Sequence, residues 1–401
     1  MTDEALVESR LGTLAPRDRA FVRTLLMAAL RDYGRLKKLL LPWLKNPETV
    51  PPEIWAMLML GAAQLLILKT PPHAAVNETL ELAVRENMPG FKGLLNAVLR
   101  RVDRDGRTAF AKIPATENFP AWLWDSWKNY PARDTWPEIL LSEPPLDITI
   151  PPDGAAVWPE KLDGALITPQ TVRIPQSTDV TKLPGYAEGA WWVQDAAAAL
   201  PVALLGDVAG LDILDLCAAP GGKTMQLCAG GARVTAVDSS APRLMRLKEN
   251  LSRMKFTADV QCADVMRFEP PENISSKFDI VVLDAPCTAT GTLRRHPEIL
   301  LHRQMEDVGR LAGLQQQMLD RAAAWVKPGG RLLYCACSLQ PQEGEHHPAK
   351  FLSLRPEFKL TTLSLPQAPQ CVTPTGTLRV LPHHFAGGAD GFFAVMFERA
   401  K

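Results

Sequence analysis

The chain has 401 residues, 46% of them apolar, and its 44 Lys and Arg balance 44 Asp and Glu. That length predicts two or three domains with substantial cores, and zero net charge excludes a polybasic tail while leaving room for a local basic face. Seven cysteines, an odd number, follow an acidic N-terminus "MTDEALVESR" that has no secretory pattern, which predicts reduced thiols and a cytoplasmic protein.

Residues 1–110 read as all-helical. In "RAFVRTLLMAALRDYGRLKKLLLPWL", Phe21, Leu25, Ala28 and Ala29 fall on one helical face. The run "IWAMLMLGAAQLLIL" at 54–68 contains Gln64 and falls short of the roughly 20 apolar residues a membrane span needs, so it predicts a buried helix. Pro51 and Pro52 open it, and Pro71 and Pro72 are expected to close it. "FKGLLNAVLRRVDRDGR" makes another amphipathic helix. This region carries 16 Lys and Arg against 12 Asp and Glu, concentrated at Arg31, Arg35, Lys37 and Lys38 and at Arg100, Arg101, Arg104 and Arg107. Solvated helix faces and an RNA-facing surface both account for that excess.

Between 111 and 190, prolines recur (Pro137, Pro144, Pro145, Pro151, Pro152, Pro159, Pro169, Pro175, Pro184) among β-like pieces such as "LDITI", which predicts a linker and a small mixed subdomain. From 191 to 401 the strand candidates "LDILDL", "ARVTAVD", "DVQCAD", "FDIVVLD" and "GRLLYCACS" alternate with helical segments. That alternation predicts an α/β domain with a parallel, doubly wound sheet, whose ligands bind at the carboxyl ends of the strands.

The first strand runs into "LDLCAAPGGKT", where Gly221 and Gly222 permit close backbone approach and the next helix offers free amides. Cys217 stands where a phosphate-binding P-loop needs glycine, so the turn is either structural or belongs to another ligand. The second strand ends on Asp238, placed to accept from two ribose hydroxyls, and the third ends on Asp264, placed to meet an adenine amino group. Three strand ends in this order suggest a site for S-adenosyl-L-methionine. The fourth gives "LDAPCTATGTLRRHPE": Asp284, before Pro286, can hold a planar amide-like ring edge, and Cys287 is expected in an exposed turn. Arg294, Arg295 and His296 are expected either to meet phosphates or to form a solvated turn.

The fifth strand contains "GRLLYCACSLQ". Cys335 and Cys337 share a strand face roughly 6.6 Å apart along the chain, and a disulfide across one residue would be strained. No further ligands lie at metal-motif spacing, and the pairs His346–His347 and His383–His384 read as loop residues, so no metal is expected. Cys335 lies inside the strand and reads as core; Cys337 lies at its carboxyl end and is the candidate nucleophile.

"LDLCAAPGGKT", "LDAPCTATGTLRRHPE" and the closing "DGFFAVMFERA" resemble the RNA 5-methylcytosine methyltransferases of the Sun/NOL/NOP family, and "PPHAAVNETLELA" with "FKGLLNAVLRR" resembles a NusB-type RNA-binding domain. The resemblance implies a Rossmann-like class I methyltransferase domain behind a helical NusB-like domain and a small mixed subdomain. It puts cofactor contacts on Cys217, Ala218, Ala219, Pro220, Gly221, Gly222, Lys223, Asp238, Asp264 and Asp284. It also makes Cys337 the nucleophile, with Cys287 as second catalytic cysteine beside Asp284. The chain departs from the family in having Ala336 where threonine is usual, and in lacking Arg-x-Asn around "LDITIPPDG". The implied activity is methyl transfer from S-adenosyl-L-methionine to carbon 5 of a cytosine in small-subunit ribosomal RNA, by a monomer. Transfer RNA as substrate, or a noncatalytic RNA-binding assembly factor, are the alternatives.

Overall fold

The computed structural model describes residues 13–174, 179–270 and 278–401; the acidic N-terminal decapeptide and Pro175 lie outside these. Two compact units result, one of residues up to Ser142 together with His296–His302, the other of Glu143–Arg295 with Arg303–Lys401.

The first unit is helical: Pro16–Arg31, Tyr33–Leu40, Pro52–Leu66, Pro72–Arg85 and Lys92–Arg101 are its longer helices. Leu36, Leu40, Ile54, Leu58, Ala62, Leu95 and Leu99 fill its core. Pro16, Pro52 and Pro72 each stand at a helix start, where a missing N–H costs nothing. Pro71 and Pro72 therefore open a helix instead of closing one. The apolar helix ends earlier, where Leu68 N–H donates to Ala63 O and Lys69 turns left-handed at φ 54°. Phe21 is 49% exposed, because its helix meets the core only from Leu25 onward.

The compact helical unit continues past residue 110, to Ser142. Aromatic packing is the reason. Trp127 and Trp136 are fully buried with ring centroids 5.5 Å apart, and Phe119 lies 6.0 Å from Trp127. Arg35 fastens this segment from within, donating to Phe110 O and Ile113 O at 3.0 Å, so that part of the basic excess is structural.

The second unit opens with a small antiparallel sheet of β1 (Leu146–Thr149), β2 (Ala165–Thr168), β3 (Thr171–Ile174) and β4 (Trp192–Val193), in the order β2-β3-β1-β4. The last of these lies beyond the boundary expected at 190. The main sheet holds β5 (Asp212–Leu216), β6 (Arg233–Asp238), β7 (Asp259–Cys262), β8 (Phe278–Asp284), β9 (Val326–Ala336), β10 (Phe358–Leu360) and β12 (Phe392–Arg399) in the order β10-β12-β9-β8-β5-β6-β7, with β11 (Leu378–Val380) on β12. Strands β5 to β9 pair in parallel, as expected, whereas β10, β11 and β9 all pair antiparallel with β12. An apolar run such as "FFAVMFER" signals a buried strand but carries no information about its direction. Both sheet faces are covered, Ile213, Ile280 and Leu333 on one and Leu214, Val281 and Leu332 on the other.

A buried ion pair ties the small sheet to the main one. Arg173 donates to both oxygens of Asp147 at 2.7 Å and also to Gly388 O at 2.7 Å, while Asp147 accepts from Ala196 N–H at 3.0 Å. The "LDITI" segment, which lacks the family's Arg-x-Asn, thus contributes a structural carboxylate. Arg173→Ala leaves that carboxylate buried and uncompensated, and is expected to destabilise this unit by about 3–5 kcal/mol in urea denaturation followed by tryptophan fluorescence.

Candidate active site

The carboxyl ends of β5, β6, β8 and β9 lie side by side, and the residues that follow them form the site. After β5 the chain turns left-handed at Cys217, φ 60°, and again at Gly221, φ 109°, before the helix Gly222–Ala229 begins. Gly221 has no freedom to vary: a Cβ there would lie 3.0 Å from Leu247 and in a strained conformation. Beneath the turn, Thr224 Oγ1 donates to Asp215 Oδ2 at 2.6 Å.

Asp238, at the end of β6, is buried and accepts from Ala219 N–H at 3.1 Å and Ser240 N–H at 2.9 Å. Arg243 approaches it at 3.5 Å. These bonds fix the carboxylate beside the glycine turn. Asp264 is exposed and lies two residues past the end of β7, where its side chain accepts from Met266 N–H at 2.9 Å. The third strand therefore ends at Cys262 and not on the aspartate, but the carboxylate stays at that edge.

The β8 and β9 ends are coupled by register, Asp284 opposite Cys335. Lys223, with its side chain only 7% exposed, donates to Asp284 Oδ2 at 2.8 Å and lies 4.8 Å over the Phe392 ring. Burial, the largest single effect, would lower the ammonium's pKa; the Asp284 charge and hydrogen bond, together with the neighbouring Cys335 and Asp215, outweigh it and raise the pKa, so Lys223 stays charged. Cys335 belongs to the core, as its position implies, but its thiol also donates to Asp284 Oδ1 at 3.5 Å. Sequence reading missed that second role, since only the strand register discloses it.

Cys287 and Cys337 come together, their sulfurs 3.4 Å apart. Contrary to the expectation of an exposed turn, Cys287 is buried; Cys337, just past the end of β9, is half-buried. The hydrogen bond with Cys337 and the loss of solvent push the Cys287 thiol well above its ordinary pKa. The turn after Cys287 is pinned by backbone: Gly291 N–H donates to Cys337 O at 3.1 Å and Gly391 N–H to Gly291 O at 2.8 Å. A Cβ on Gly291 would lie 1.9 Å from Gly391 O.

Two expectations for nearby residues are corrected. Arg294 is fully buried and donates to Gly387 O, so it braces the closing loop and is neither phosphate-facing nor part of a solvated turn, whereas Arg295 pairs with Asp390 yet stays exposed. His296 meets Glu298 at 3.2 Å. His347 is no loop residue; it begins the helix His347–Leu354, buried against Tyr334 and within 2.9 Å of Gln315 Oε1. All seven cysteines are free thiols, and among the described residues no helix is long and apolar enough to cross a membrane.

Residues 202–398 match the family profile described as 16S rRNA methyltransferase RsmB/F, and residues 1–104 that of the NusB family. The chain is 36% identical over 399 residues to ribosomal RNA small subunit methyltransferase B of Cronobacter sakazakii, covering 95% of this chain and 90% of that protein. It is likewise 36% identical to the Vibrio cholerae protein of the same name, over 86% of this chain and 84% of that one. Among solved structures, PH0851 superposes with a TM-score of 0.79 at 23% identity, covering 96% of this chain and 91% of that one. NSun6 from Pyrococcus horikoshii, solved with SFG, gives 0.60 at 18% identity, covering 71% of this chain and 100% of that one. At these identities the two structural likenesses concern the fold alone.

Burial raises the Asp215 carboxyl to about 7, against a donating Thr224. The folded state then holds a proton that the unfolded chain releases near pH 4, so stability falls as pH rises from 4 to 7. Asp215→Asn removes that term. Its stability relative to the native chain is expected to improve by about 4 kcal/mol between pH 4 and pH 8, read from paired denaturation curves.

Proposed function

We propose that this chain, which belongs to the 16S rRNA methyltransferase RsmB/F family, transfers a methyl group from S-adenosyl-L-methionine to carbon 5 of a cytosine in small-subunit ribosomal RNA through a covalent cysteine–cytosine adduct. What carries the reading is the pair of sulfurs 3.4 Å apart, beside a carboxylate held by a buried lysine. The residues also fit the cofactor. Ala218–Lys223 form a turn with close-approach glycine and open helix amides. Asp238, anchored by two backbone N–H groups, keeps lone pairs for a ribose, and exposed Asp264 is available to a base. When bound, S-adenosyl-L-methionine supplies a methyl group on a positively charged sulfur.

Carbon 5 of cytosine is a weak nucleophile until carbon 6 is saturated. Cys337 adds its thiolate to carbon 6. The proton gained at ring nitrogen 3 is held against Asp284, whose orientation Lys223 and Cys335 fix through its two oxygens. Carbon 5 then takes the methyl group. Cys287 removes the carbon 5 proton, the nitrogen 3 proton departs, and the bond from Cys337 to carbon 6 breaks. Bonding of Cys337 to the base removes the leading cause of the raised Cys287 pKa, the hydrogen bond between the two thiols. Cys287 is thus a thiol before attack and gives up its proton to solvent more readily after it, which makes its thiolate available to take the carbon 5 proton. A paired target base must first be unstacked. We assign RNA affinity to the helical unit, where Lys37, Arg100 and Arg107 are exposed.

A denaturing gel with labelled ribosomal RNA and cofactor tests the assignment. Cys337→Ala is expected to abolish both methylation and the adduct, whereas Cys287→Ala accumulates a denaturant-resistant adduct. Cys335→Ala is expected to slow turnover about fivefold without accumulating adduct, the worth of one weak hydrogen bond near 1 kcal/mol. An adduct that persists in Cys337→Ala and vanishes in Cys287→Ala reverses the two roles. No adduct and no methylation with any variant or with the native chain leaves a noncatalytic RNA-binding protein.

A further inference from the structure

Below the two cysteines lies a carboxylate that the reaction itself does not use. Glu343, in the short 3₁₀ turn Pro341–Glu343, is fully buried. Its Oε1 accepts from Thr288 N–H at 2.9 Å and Gln315 Nε2 at 3.1 Å. Its Oε2 accepts from Thr288 Oγ1 and Ser338 Oγ, both at 2.5 Å. Thr288 directly follows Cys287, and Ser338 directly follows Cys337. One carboxylate therefore grips the residue after each thiol, from two loops that lie 50 residues apart in the chain.

The surrounding bonds tighten the grip. Gln315 Nε2 also donates to Pro286 O at 2.9 Å, on the other side of Cys287. Tyr334 Oη donates to Glu343 O at 2.7 Å, which holds the 3₁₀ turn against β9. Ser338 Oγ lies 3.2 Å from the hydroxyls of both Thr288 and Thr290. A buried carboxylate with four donors is a rigid fixture, because each donor would be left unsatisfied by any shift.

We propose that Glu343 is a positioning residue that sets the gap between the Cys287 and Cys337 sulfurs; this rests on the roles assigned to those cysteines above. Its charge also faces Cys287, where it adds to the causes that keep that thiol protonated. Neither contact involves the reacting base, so Glu343 acts only through the two thiols.

Glu343→Ala and Glu343→Gln are compared by three readouts: methyl-transfer kcat, the dissociation constant for S-adenosylhomocysteine, and the rate of Cys287–Cys337 disulfide formation with diamide. Diamide accepts the two thiol hydrogens, and mass spectrometry identifies the linked peptide. Glu343→Ala is expected to lower kcat about 100-fold, the scale of an ångström of misplacement. It should also slow disulfide formation while leaving S-adenosylhomocysteine affinity unchanged. Glu343→Gln preserves the shape and one acceptor oxygen, and should restore most of both rates. If Glu343→Ala does not fold, Thr288→Val keeps the Thr288 N–H bond, loses its hydroxyl, and should move the same two rates by less. Unchanged kcat and oxidation rate, or cofactor affinity falling in step with kcat, overturns the proposal. A native chain that forms the disulfide in a Glu343-dependent way yet methylates no cytosine refutes the function and leaves the positioning intact.

Discussion

The register of β8 on β9 is the constraint on which the site depends. Asp284 stands opposite Cys335, so whatever follows Asp284 emerges beside whatever follows Cys335. Cys287 is three residues beyond the first and Cys337 two beyond the second, and their meeting at 3.4 Å follows from that pairing and the turns that cap it. Parallel strands buried on both faces resist slippage, since a one-residue shift would exchange the apolar side chains of the two covered faces. The same register sets Cys335 under Asp284, and β5 next to β8 delivers Lys223 to the other oxygen of that carboxylate. Chemistry-bearing groups from three strand ends are thereby fixed by two adjacent ladders.

Much of this architecture was legible in the sequence, and the reasons are local. Strands β5, β6 and β8 end on or just before residues whose chemistry points outward, and alternation with helices announced a doubly wound sheet. Cys337 could be singled out as the proposed nucleophile because it lies at the carboxyl end of a strand, where such sheets bind ligands, while Cys335 lies inside the strand. The proline pair at Pro71 and Pro72 was misread because proline both ends helices and begins them; only Lys69, left-handed before it, shows that the previous helix has already stopped. The NusB family match ends at residue 104, close to the boundary read near 110, while the compact unit runs on to Ser142, an extension that rests on distant packing such as that of Trp127 on Trp136.

The unread part of the site is the part made by contacts distant in sequence. Nothing around Cys335 announces a bond to Asp284, nothing around Arg294 announces a backbone acceptor at Gly387, and nothing around Glu343 announces Thr288. The basic excess of residues 1–110 divides the same way. Arg35 is part-buried and spent on Phe110 and Ile113, whereas Lys37, Lys38, Arg100, Arg101 and Arg107 stay exposed, Lys38 beside Glu117 and Arg101 over Trp43. A count of charges weighs all of these alike.

The crossing of Gly291 and Gly391 has a consequence for sequence variation. Two backbone segments touch there with no space for a methyl group, since a side chain on Gly291 would strike Gly391 O and one on Gly391 would strike Leu339. Ordinary contacts drift by compensation, a smaller residue on one side admitting a larger one on the other. Gly291 has no such partner, since what it would strike is backbone, whereas a change at Gly391 requires Leu339 to shrink with it. Drift near the turn after Cys287 can therefore reach Gly391 only together with Leu339 and leaves Gly291 untouched.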